Sequence, residues 1–483
     1  MKQTLTKSFV LLVPTIFLLL AGSVSARYDN IPGNVIVTVA QGQDVHEVLN
    51  RHDLTIVDSI GQGSVYLLSF DPDKSVADMI DELLVKPGID DVQPNHGLEL
   101  PTIHQISLGF PDQQTPTFDQ SLSPVPYYNQ AAVSSISLDS AHLFTTGAGI
   151  SIGVIDNGIE ASHPLFAAGQ LSPGYDFLDG DSSPEEVPGL TLGHGTFVSG
   201  MILLAAPDCN LVPLRAFGSD GIGNEFAVVQ AIYYAIRNKI DVLNMSFGTS
   251  IPSPLLHLAI DQALEAGIVL VASAGNEGSV MPLYPAAFPG VLAISAIDED
   301  ELLADMSNFG SHVSLCAPGV NLYSSFAGEY EWGWWSGTSF ATPLVAGSAA
   351  LLKATNRLSS YEVAWHLQMT ARRNPAWGNA SVPDIQYGFG IADAYSSLVS
   401  VNRGDLDFSG HLDMLDLTNL ANLLLNAADE NSDAFALTTI HNYPLADIDG
   451  NGVVDDSDVL LLVEILFFGT PRPGPVYDII SRK

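Results

Sequence analysis

The 483-residue sequence has few basic residues. Lys and Arg total 17 against 54 Asp and Glu, which gives a formal net charge of −37. A protein that binds nucleic acid needs a cationic surface to displace the counterions around phosphate groups, and this composition argues against such a surface. The same acidic bias favours solubility and suits the binding of divalent cations.

Cysteine is also scarce, since Cys209 and Cys316 are the only two in the chain. They could form a disulfide in an oxidising compartment, but a sequence does not give the geometry that a bridge requires. Both cysteines lie in apolar stretches typical of a protein core. We therefore expect two buried thiols.

Outside the N-terminus, the sequence has no apolar run long enough to suggest a signal peptide or a membrane span. There, Lys2 and Lys7 lead into an apolar run from Phe9 to Ala21, and small residues follow at 24–26. This order is typical of a secretory signal peptide, so residues 1–26 are predicted to be removed before Arg27. The alternative is a membrane anchor, although the run is short for a span. We expect a secreted protein with no membrane attachment after signal cleavage.

The length suggests about three domains. Residues 34–100 predict four strands and two helices in the order β-α-β-β-α-β, with strands at 34–39, 54–58, 65–70 and 89–92 and helices at 45–51 and 73–84. This order is typical of a small α+β, ferredoxin-like layer. Residues 101–128 are rich in Pro, Gln, Ser and Asp without clear periodicity, and they predict an exposed linker.

Residues 129–398 alternate between apolar strands and helices. Strands are predicted at 150–155, 212–216, 242–246 and 268–273, and helices after His194, at 225–239, at 254–266 and from about Thr338 onwards. Continuous apolar strands separated by helices predict an α/β fold, with a mostly parallel sheet covered by helices on both faces.

Three short motifs in this region carry catalytic residue types. Asp156 ends the apolar run Gly-Ile-Ser-Ile-Gly-Val-Ile-Asp, His194 lies in Gly-His-Gly-Thr, and Ser339 lies in Gly-Thr-Ser-Phe-Ala-Thr-Pro. A serine hydroxyl becomes a strong nucleophile when a histidine takes its proton and a carboxylate orients that histidine. The chain order Asp, His, Ser is one in which this triad recurs. Asn276, in Ala-Gly-Asn-Glu-Gly after an apolar strand, could donate a hydrogen bond to an oxyanion.

These motifs resemble those of the subtilisin-like serine proteases, the subtilases, over residues 129–398. The resemblance implies a seven-stranded parallel sheet and endopeptidase activity on proteins or peptides, with no cofactor for catalysis. It implies that Ser339 is the nucleophile, His194 the general base and acid, and Asp156 the orienting carboxylate. Asn276 would donate to the oxyanion. The residues that resemble the family's substrate-binding segments are Gly221, Gly223, Ser246, Phe247, Gly248, Ala272 and Gly275.

The chain also departs from the family pattern. Phe197 stands where many relatives have a second histidine, and Phe340 stands where many have methionine after the serine. A loop that builds a calcium site in bacterial subtilisins is missing at 201–207, so calcium is not expected there. Leu283 is expected to narrow the specificity pocket.

Residues 34–100 resemble the inhibitory propeptide of the same family, and the ending Val92-Gln-Pro-Asn-His resembles its tail. The resemblance implies that the chain is made as a zymogen, with its own propeptide as inhibitor. The open alternative is a stably retained domain.

Residues 404–470 contain no Lys or Arg but thirteen Asp or Glu, and they hold two copies of one acidic pattern, 42 residues apart. Oxygen-bearing groups stand at positions 1, 3, 5, 9 and 12, and Gly410 and Gly452 occupy position 6. This spacing is typical of calcium loops, in which position 7 contributes its carbonyl. The predicted calcium ligands are Asp405, Asp407, Ser409, His411, Asp413 and Asp416, and Asp447, Asp449, Asn451, Val453, Asp455 and Asp458.

The two loops, each followed by a leucine-rich helix, resemble a dockerin. This resemblance implies a small all-α calcium-binding domain at residues 403–470 and a cohesin-type partner.

The interpretation of the whole sequence is a secreted, calcium-binding subtilase-type endopeptidase. The alternatives are a non-catalytic subtilase scaffold, and a surface assembly protein for which proteolysis is incidental.

Overall fold

The computed structural model describes residues 30–46, 54–60, 64–100, 116–118, 124–166, 169–355, 358–378, 382–403, 406, 414–427, 445–446, 448, 454 and 456–468. Within these ranges, no helix combines the length and the apolar character needed to cross a membrane.

A four-stranded antiparallel sheet forms the N-terminal unit. Its strands are β1 (Asn34–Val39), β2 (Thr55–Ile60), β3 (Val65–Ser69) and β4 (Ile89–Pro94), in the order β2-β3-β1-β4. Helix α1 (Val76–Leu84) begins at Ser75, whose hydroxyl accepts from Asp78 N at 3.3 Å. Met79 and Leu83 of α1 pack on Val35 and Val37 of β1 in one small core. The first predicted helix falls mostly outside the described residues.

The chain then leaves this sheet and contacts the larger unit. Strand β5 (Gly97–Glu99) pairs antiparallel with β10 (Ile222–Asn224). Strand β6 (Thr117–Phe118) pairs antiparallel with β16 (Trp332–Trp335).

The residues predicted as an exposed linker are not all exposed. Besides β6, this stretch contains the short helix α2 (Val125–Tyr128). Tyr127 in that helix is buried, and its hydroxyl donates to Gly200 O at 2.6 Å. The expectation of an exposed linker to residue 128 was therefore wrong at its end, because an aromatic side chain anchors the segment to the larger unit.

The large unit is built on a seven-stranded parallel sheet, as the resemblance to subtilases implied. Its order is β14-β13-β12-β11-β7-β9-β8. The strands are β7 (Ser151–Asp156), β8 (Tyr175–Asp176), β9 (Asn210–Arg215), β11 (Val242–Met245), β12 (Val269–Ser273), β13 (Leu292–Ile297) and β14 (Val313–Pro318).

Alternate residues of the central strands belong to two separate cores, one on each face of the sheet. In β12, Val269 and Val271 point into the first core, while Leu270 and Ala272 point into the second. The helices of the first core are α3 (Ala131–Ser135), α4 (Leu138–Ala141), α5 (His194–Ala205), α8 (Thr338–Thr355), α9 (Ser360–Met369) and α10 (Ala394–Asn402). The second core holds α6 (Glu225–Arg237) and α7 (Pro254–Glu265). Both faces are therefore covered, which explains why these strands are apolar throughout.

Helices α5 and α8 lie side by side in the first core. Every residue of α5 is buried, and α8 is buried from Thr338 to Leu352. A Cβ added to Gly347 of α8 would lie 2.4 Å from Ala205 Cβ of α5. The glycine therefore allows the two helices to approach closely. Strand β15 (Leu322–Ser325) pairs with β16 beside them.

The described part of the C-terminal unit comprises α11 (Met414–Ala427), α12 (Asp456–Phe468) and short intervening segments. Leu420 and Leu462 are fully buried in a core that also includes Val399 of α10. Phe144 packs against the same core. The C-terminal unit thus packs on the large unit through apolar contacts. Cys209 and Cys316 are both free and buried, which confirms the prediction of two thiols.

Candidate active site

Asp156 and His194 meet at the carboxyl end of the central strand. Asp156 is the last residue of β7, and His194 is the first residue of α5. Nδ1 of His194 lies 2.8 Å from Oδ1 of Asp156, and both side chains are buried. The same carboxylate oxygen accepts from Asn157 N at 2.8 Å. Burial away from water strengthens such a contact and holds the imidazole in one orientation.

The start of α5 is fixed by residues around it. Asn157 Oδ1 accepts from Gly195 N at 2.9 Å, and Asn157 Nδ2 donates to Thr191 O at 2.7 Å. Gly193 occupies the N-cap position with φ of +92°. A Cβ at Gly193 would lie 2.5 Å from the Phe326 ring, so only glycine fits both the conformation and the space.

Ser339 lies in the first turn of α8 and makes two hydrogen bonds with Ser246, the residue that follows β11. Its hydroxyl donates to Ser246 O at 3.4 Å, and Ser246 Oγ donates to Ser339 O at 2.8 Å. Asn244 Nδ2 donates to Ser246 Oγ at 3.0 Å. His194 Nε2 is buried and has no hydrogen-bond partner among the described residues. The serine hydroxyl is therefore bonded to the Ser246 carbonyl, and His194 Nε2 makes no hydrogen bond to it.

Three aromatic side chains pack around the imidazole. The ring of His194 lies 5.4 Å from the Phe340 ring and 5.8 Å from the Trp335 ring, measured between centroids. Phe197 lies 4.5 Å from Phe340 and completes the cluster. Because Phe340 follows Ser339 directly, this contact places the first turn of α8 beside the imidazole. The two departures from the family pattern, Phe197 and Phe340, thus form one packed group.

Asn276 follows strand β12 and faces the start of α8. Its Oδ1 accepts from Thr338 N and from Thr338 Oγ1, each at 2.9 Å. These bonds orient the amide, so that Nδ2 points away from Thr338. A Cβ added to Gly337 would lie 3.2 Å from that nitrogen, which puts the amide group beside the loop before Ser339.

The predicted substrate-binding segments lie on either side of an extended stretch of the chain itself. Leu100 N donates to Gly221 O at 3.0 Å, and Gly223 pairs with Leu98. On the opposite side, Gly248 N donates to Glu99 O at 3.0 Å and Glu99 N donates to Gly248 O at 3.2 Å. Residues 97–100 therefore form the middle strand of a three-stranded arrangement, as a peptide added to sheet edges would.

Phe247 and Ala272 belong to the same apolar core as Leu98 and Leu100 of that strand. Phe247 and Ala272 are fully buried. A Cβ on Gly248 would lie 3.1 Å from Leu283 Cβ, and one on Gly275 would lie 2.6 Å from Leu283 Cδ1. Leu283 thus lies against both glycines, and its narrowing of a specificity pocket stays a prediction.

Sequence reasoning missed Glu186. Its carboxylate accepts hydrogen bonds from Gly193 N, from Thr196 N at 2.7 Å and from Thr196 Oγ1 at 2.5 Å. Burial raises the pKa of Glu186 to about 8, although the three donors oppose that rise. The residue lies in an irregular Pro-flanked stretch without periodicity, so no sequence pattern identified it.

Of the predicted calcium ligands, only Asp416 and Asp458 belong to the described residues. Both are fully buried. Asp416 Oδ1 accepts from Leu406 N at 2.7 Å, and Asp458 Oδ1 accepts from Ile448 N at the same distance. In each copy, position 12 of the pattern thus contacts the backbone of position 2. The other ten predicted ligands lie outside the described residues.

Comparison with known proteins gives two family matches. Residues 147–390 match the model described as the subtilase family. Residues 23–95 match the model of the fervidolysin N-terminal prodomain.

Several curated proteins are similar to this chain. A thermostable alkaline protease of Halalkalibacterium halodurans is 36% identical over 54% of this chain and 71% of its own length. The minor extracellular protease Epr of Bacillus subtilis is 36% identical over 51% of this chain. Subtilisin E of the same species is 34% identical over 50% of this chain and 60% of its own length. The chain spans only 38% of the length of Epr.

Among solved structures, fervidolysin from Fervidobacterium pennivorans shares the fold. The TM-score is 0.65 at 23% sequence identity. The match covers 77% of this chain and 61% of fervidolysin, which is described as a keratinolytic enzyme related to subtilisin.

Proposed function

Because this chain belongs to the subtilase family of serine endopeptidases, we propose that it hydrolyses peptide bonds in proteins through an acyl-enzyme at Ser339. The observation that carries the proposal is the 2.8 Å contact between Asp156 Oδ1 and His194 Nδ1, made beside the helix turn that holds Ser339. The imidazole is thereby oriented with Nε2 directed away from the carboxylate.

The reaction follows from these positions. Ser339 Oγ leaves the Ser246 carbonyl, turns to His194 Nε2 and attacks the carbonyl carbon of the substrate while its proton passes to that nitrogen. Asp156 stabilises the imidazolium that results. His194 then gives the proton to the leaving amine, and a water molecule repeats the sequence to release the acid.

Negative charge develops on the substrate oxygen in each step. Asn276 Nδ2 and Ser339 N are the donors proposed for it, and they come from the loop after β12 and from the first turn of α8. Because Thr338 holds the Asn276 oxygen through two bonds, the amide does not have to reorient when the charge appears.

Labelling with a fluorescent fluorophosphonate tests the proposal, because this reagent reacts with activated serines. The processed wild-type protein is expected to label, and Ser339→Ala is expected not to. The matched control is Ser348→Ala, which removes a buried hydroxyl from the same helix and should leave labelling intact. Labelling of Ser339→Ala at the wild-type level would contradict the proposal.

We further propose that the prodomain keeps the enzyme inactive until it is cut. Residues 97–100 pair with Gly221–Asn224 on one side and Gly248 on the other, which supports occupation of the substrate position by the chain's own tail. Upstream, Gln93 Nε2 donates to Glu225 Oε1 at 2.7 Å, so the tail is also held by side chains.

Glu99→Pro tests the tail. Proline lacks the N–H that donates to Gly248 O. This variant should therefore cleave its own propeptide more slowly and should show peptidase activity before that cleavage. Glu99→Ala keeps that N–H and is the control. Gel analysis of processing over time gives the result, and equal rates for the two variants would contradict the proposal.

The C-terminal unit is proposed to bind calcium through its two acidic loops. Asp416 and Asp458 are buried carboxylates in a segment without Lys or Arg, and a hard cation with oxygen ligands would compensate their charge. When bound, calcium would fold the loops and take no part in peptide hydrolysis. The residues proposed as ligands are the twelve that the sequence predicts.

A calcium titration of the full-length Ser339→Ala protein, followed by calorimetry, tests this proposal. Binding is expected, and Asp458→Asn should lose one site. Glu464→Gln, an exposed change on the same helix, is the control and should keep both sites. Two sites that survive Asp458→Asn would contradict the assignment.

We also propose that the protein is secreted and that its C-terminal unit binds a cohesin-type partner. The extracellular description of Epr supports secretion. Met414, Leu415 and Leu460 are exposed apolar side chains on α11 and α12, which supports a docking role. A pull-down with a recombinant cohesin, with and without a calcium chelator, would test the partner.

A further inference from the structure

Glu186 contacts the catalytic helix without touching the proposed reacting groups. Its two carboxylate oxygens accept from Gly193 N, Thr196 N and Thr196 Oγ1, which all belong to the first turn of α5 or its cap. The first N–H groups of a helix have no partner within the helix and need an acceptor from elsewhere. The N-cap residue here is Gly193, which has no side chain to offer. Glu186 therefore supplies the cap from a loop that precedes the helix.

The same carboxylate is linked to the strand that carries Asp156. Thr196 Oγ1, which bonds Glu186, also accepts from Glu160 N at 2.9 Å. The backbone of Glu185 and Glu186 crosses directly over Gly158, where an added Cβ would lie 2.6 Å from Glu185 C. This loop thus packs on the turn that follows Asp156. Through Thr196, Glu186 therefore connects the helix that begins at His194 to the turn that follows Asp156.

We propose that Glu186 is a positioning residue for His194, holding the first turn of α5 in register with Asp156 so that the imidazole is oriented for proton transfer. The inference depends on the proposed role of His194 as general base. It adds a residue that no part of the family motifs contains.

The charge of Glu186 should matter as well as its hydrogen bonds. Burial raises its pKa to about 8, with the nearby Asp156 carboxylate adding to the rise. The other ionisable side chains of the segments packed around it are Glu160, Glu185 and His194. Once ionised, the carboxylate accepts stronger hydrogen bonds and compensates the partial positive charge at the N-terminus of the helix. Its contribution to turnover should therefore increase as the pH rises through about 8.

Three variants separate the positioning role from a structural one. Glu186→Gln keeps the shape of the side chain, Glu186→Ala removes every contact, and Glu185→Gln changes the neighbouring exposed carboxylate as a control. We would measure kcat and KM on a tetrapeptide p-nitroanilide, and the rate of fluorophosphonate labelling at Ser339, from pH 6 to 10. Melting temperatures in the Ser339→Ala background would report folding.

The expected loss lies in kcat. Glu186→Ala should lose about 100-fold in kcat with KM changed less than about twofold, because misplacement of a catalytic group affects the chemical step. Glu186→Gln is neutral at every pH and exchanges one accepting oxygen for an NH2 donor. It should lose little kcat near pH 6, where the wild-type carboxyl is protonated, and fall about tenfold below the wild type at pH 9. Glu185→Gln should match the wild type throughout.

A Glu186→Gln variant that is folded and keeps wild-type kcat at every pH would overturn the inference. A loss of the same size at pH 6 and pH 9 would also overturn it, because that result fits a structural role alone. If the wild type itself fails to label at Ser339, the proposed peptidase function fails, and this inference fails with it.

Discussion

At the residue scale, the site depends on buried side chains that hydrogen bonds hold in one orientation. Asp156 and His194 are removed from water, so the contact between them is strong and its geometry is fixed. Asn276 is held in the same way by Thr338. Such orientation before the reaction begins is what allows hydrogen-bond donors to stabilise a transition state at little further cost.

Asn276→Ala should lower kcat by about 10² to 10³, the range known for loss of one oxyanion donor in this family, with little change in KM. The reason is that the donor acts on charge present only in the transition state. Steady-state kinetics on a peptide p-nitroanilide would measure the effect. Asn238→Ala, on the surface at the end of α6, serves as the control. An equal loss in both variants would argue against the role.

Glu186 should also make stability depend on pH. Its folded pKa is raised from 4.5 to about 8, so the fold favours the neutral carboxyl. The stability that this group contributes is present below pH 4.5 and is lost as the pH rises through about 8. In the Ser339→Ala background, melting temperature should therefore fall between pH 5 and pH 9, and Glu186→Gln should reduce that fall. Parallel curves for the two proteins would contradict the assignment.

At the element scale, two adjacent helices carry the proposed nucleophile and the proposed base. Helix α5 begins at His194 and helix α8 begins one residue before Ser339, and both start at the carboxyl end of the sheet. Their close approach depends on Gly347, which leaves room for Ala205 and the Ile202 carbonyl. The distance between serine and histidine is therefore set by packing far along the helices as well as by the loops.

Gly347→Val should push α5 and α8 apart, because even the first side-chain carbon would meet Ala205 Cβ at 2.4 Å. We expect a loss of about 1–3 kcal/mol in the free energy of unfolding, typical of overpacking, together with slower fluorophosphonate labelling. Chemical denaturation and labelling kinetics would measure both. Ser348→Ala, the adjacent buried position, is the control. Normal labelling by a folded Gly347→Val protein would show that the spacing does not matter.

At the scale of the whole molecule, the N-terminal unit and the catalytic unit share a polar interface. Asn95 is buried, and its Oδ1 accepts from Phe226 N at 3.2 Å at the start of α6. Glu225 is fully buried and bonds Gln93 and Ser253. Burial raises the pKa of Glu225, while its hydrogen bonds and His96 oppose that rise. The prodomain thus covers ionisable and helix-end groups that its release would return to water.

Asn95→Ala should weaken this interface, because it removes an acceptor for a helix N-terminus worth about 1 kcal/mol. In the unprocessed Ser339→Ala protein, we expect faster amide exchange over β10 and the first turn of α6. Hydrogen–deuterium exchange would measure it, with Gln43→Ala, an exposed change in the N-terminal unit, as control. Unchanged exchange in the Asn95 variant would argue against a role in attachment.

Several features followed from the sequence alone. Apolar strands separated by helices predicted the parallel sheet, because a strand buried on both faces must be apolar throughout. Strand-end Asp156 and helix-start His194 could be recognised from local motifs, because the same short chemistry recurs wherever this triad is built. The two free thiols followed from their apolar surroundings.

Other features were decided only by the tertiary structure. Tyr127 is buried because its hydroxyl finds the Gly200 carbonyl, 73 residues away, and no local pattern shows that. Glu186 acquires its role because its loop packs over Gly158 and reaches the start of α5. Local patterns record the periodicity of a segment and its short motifs, whereas contacts between distant segments depend on how whole elements pack. That is why the residues proposed for the triad could be named from the sequence, while Glu186, which caps the helix that begins at His194, could not.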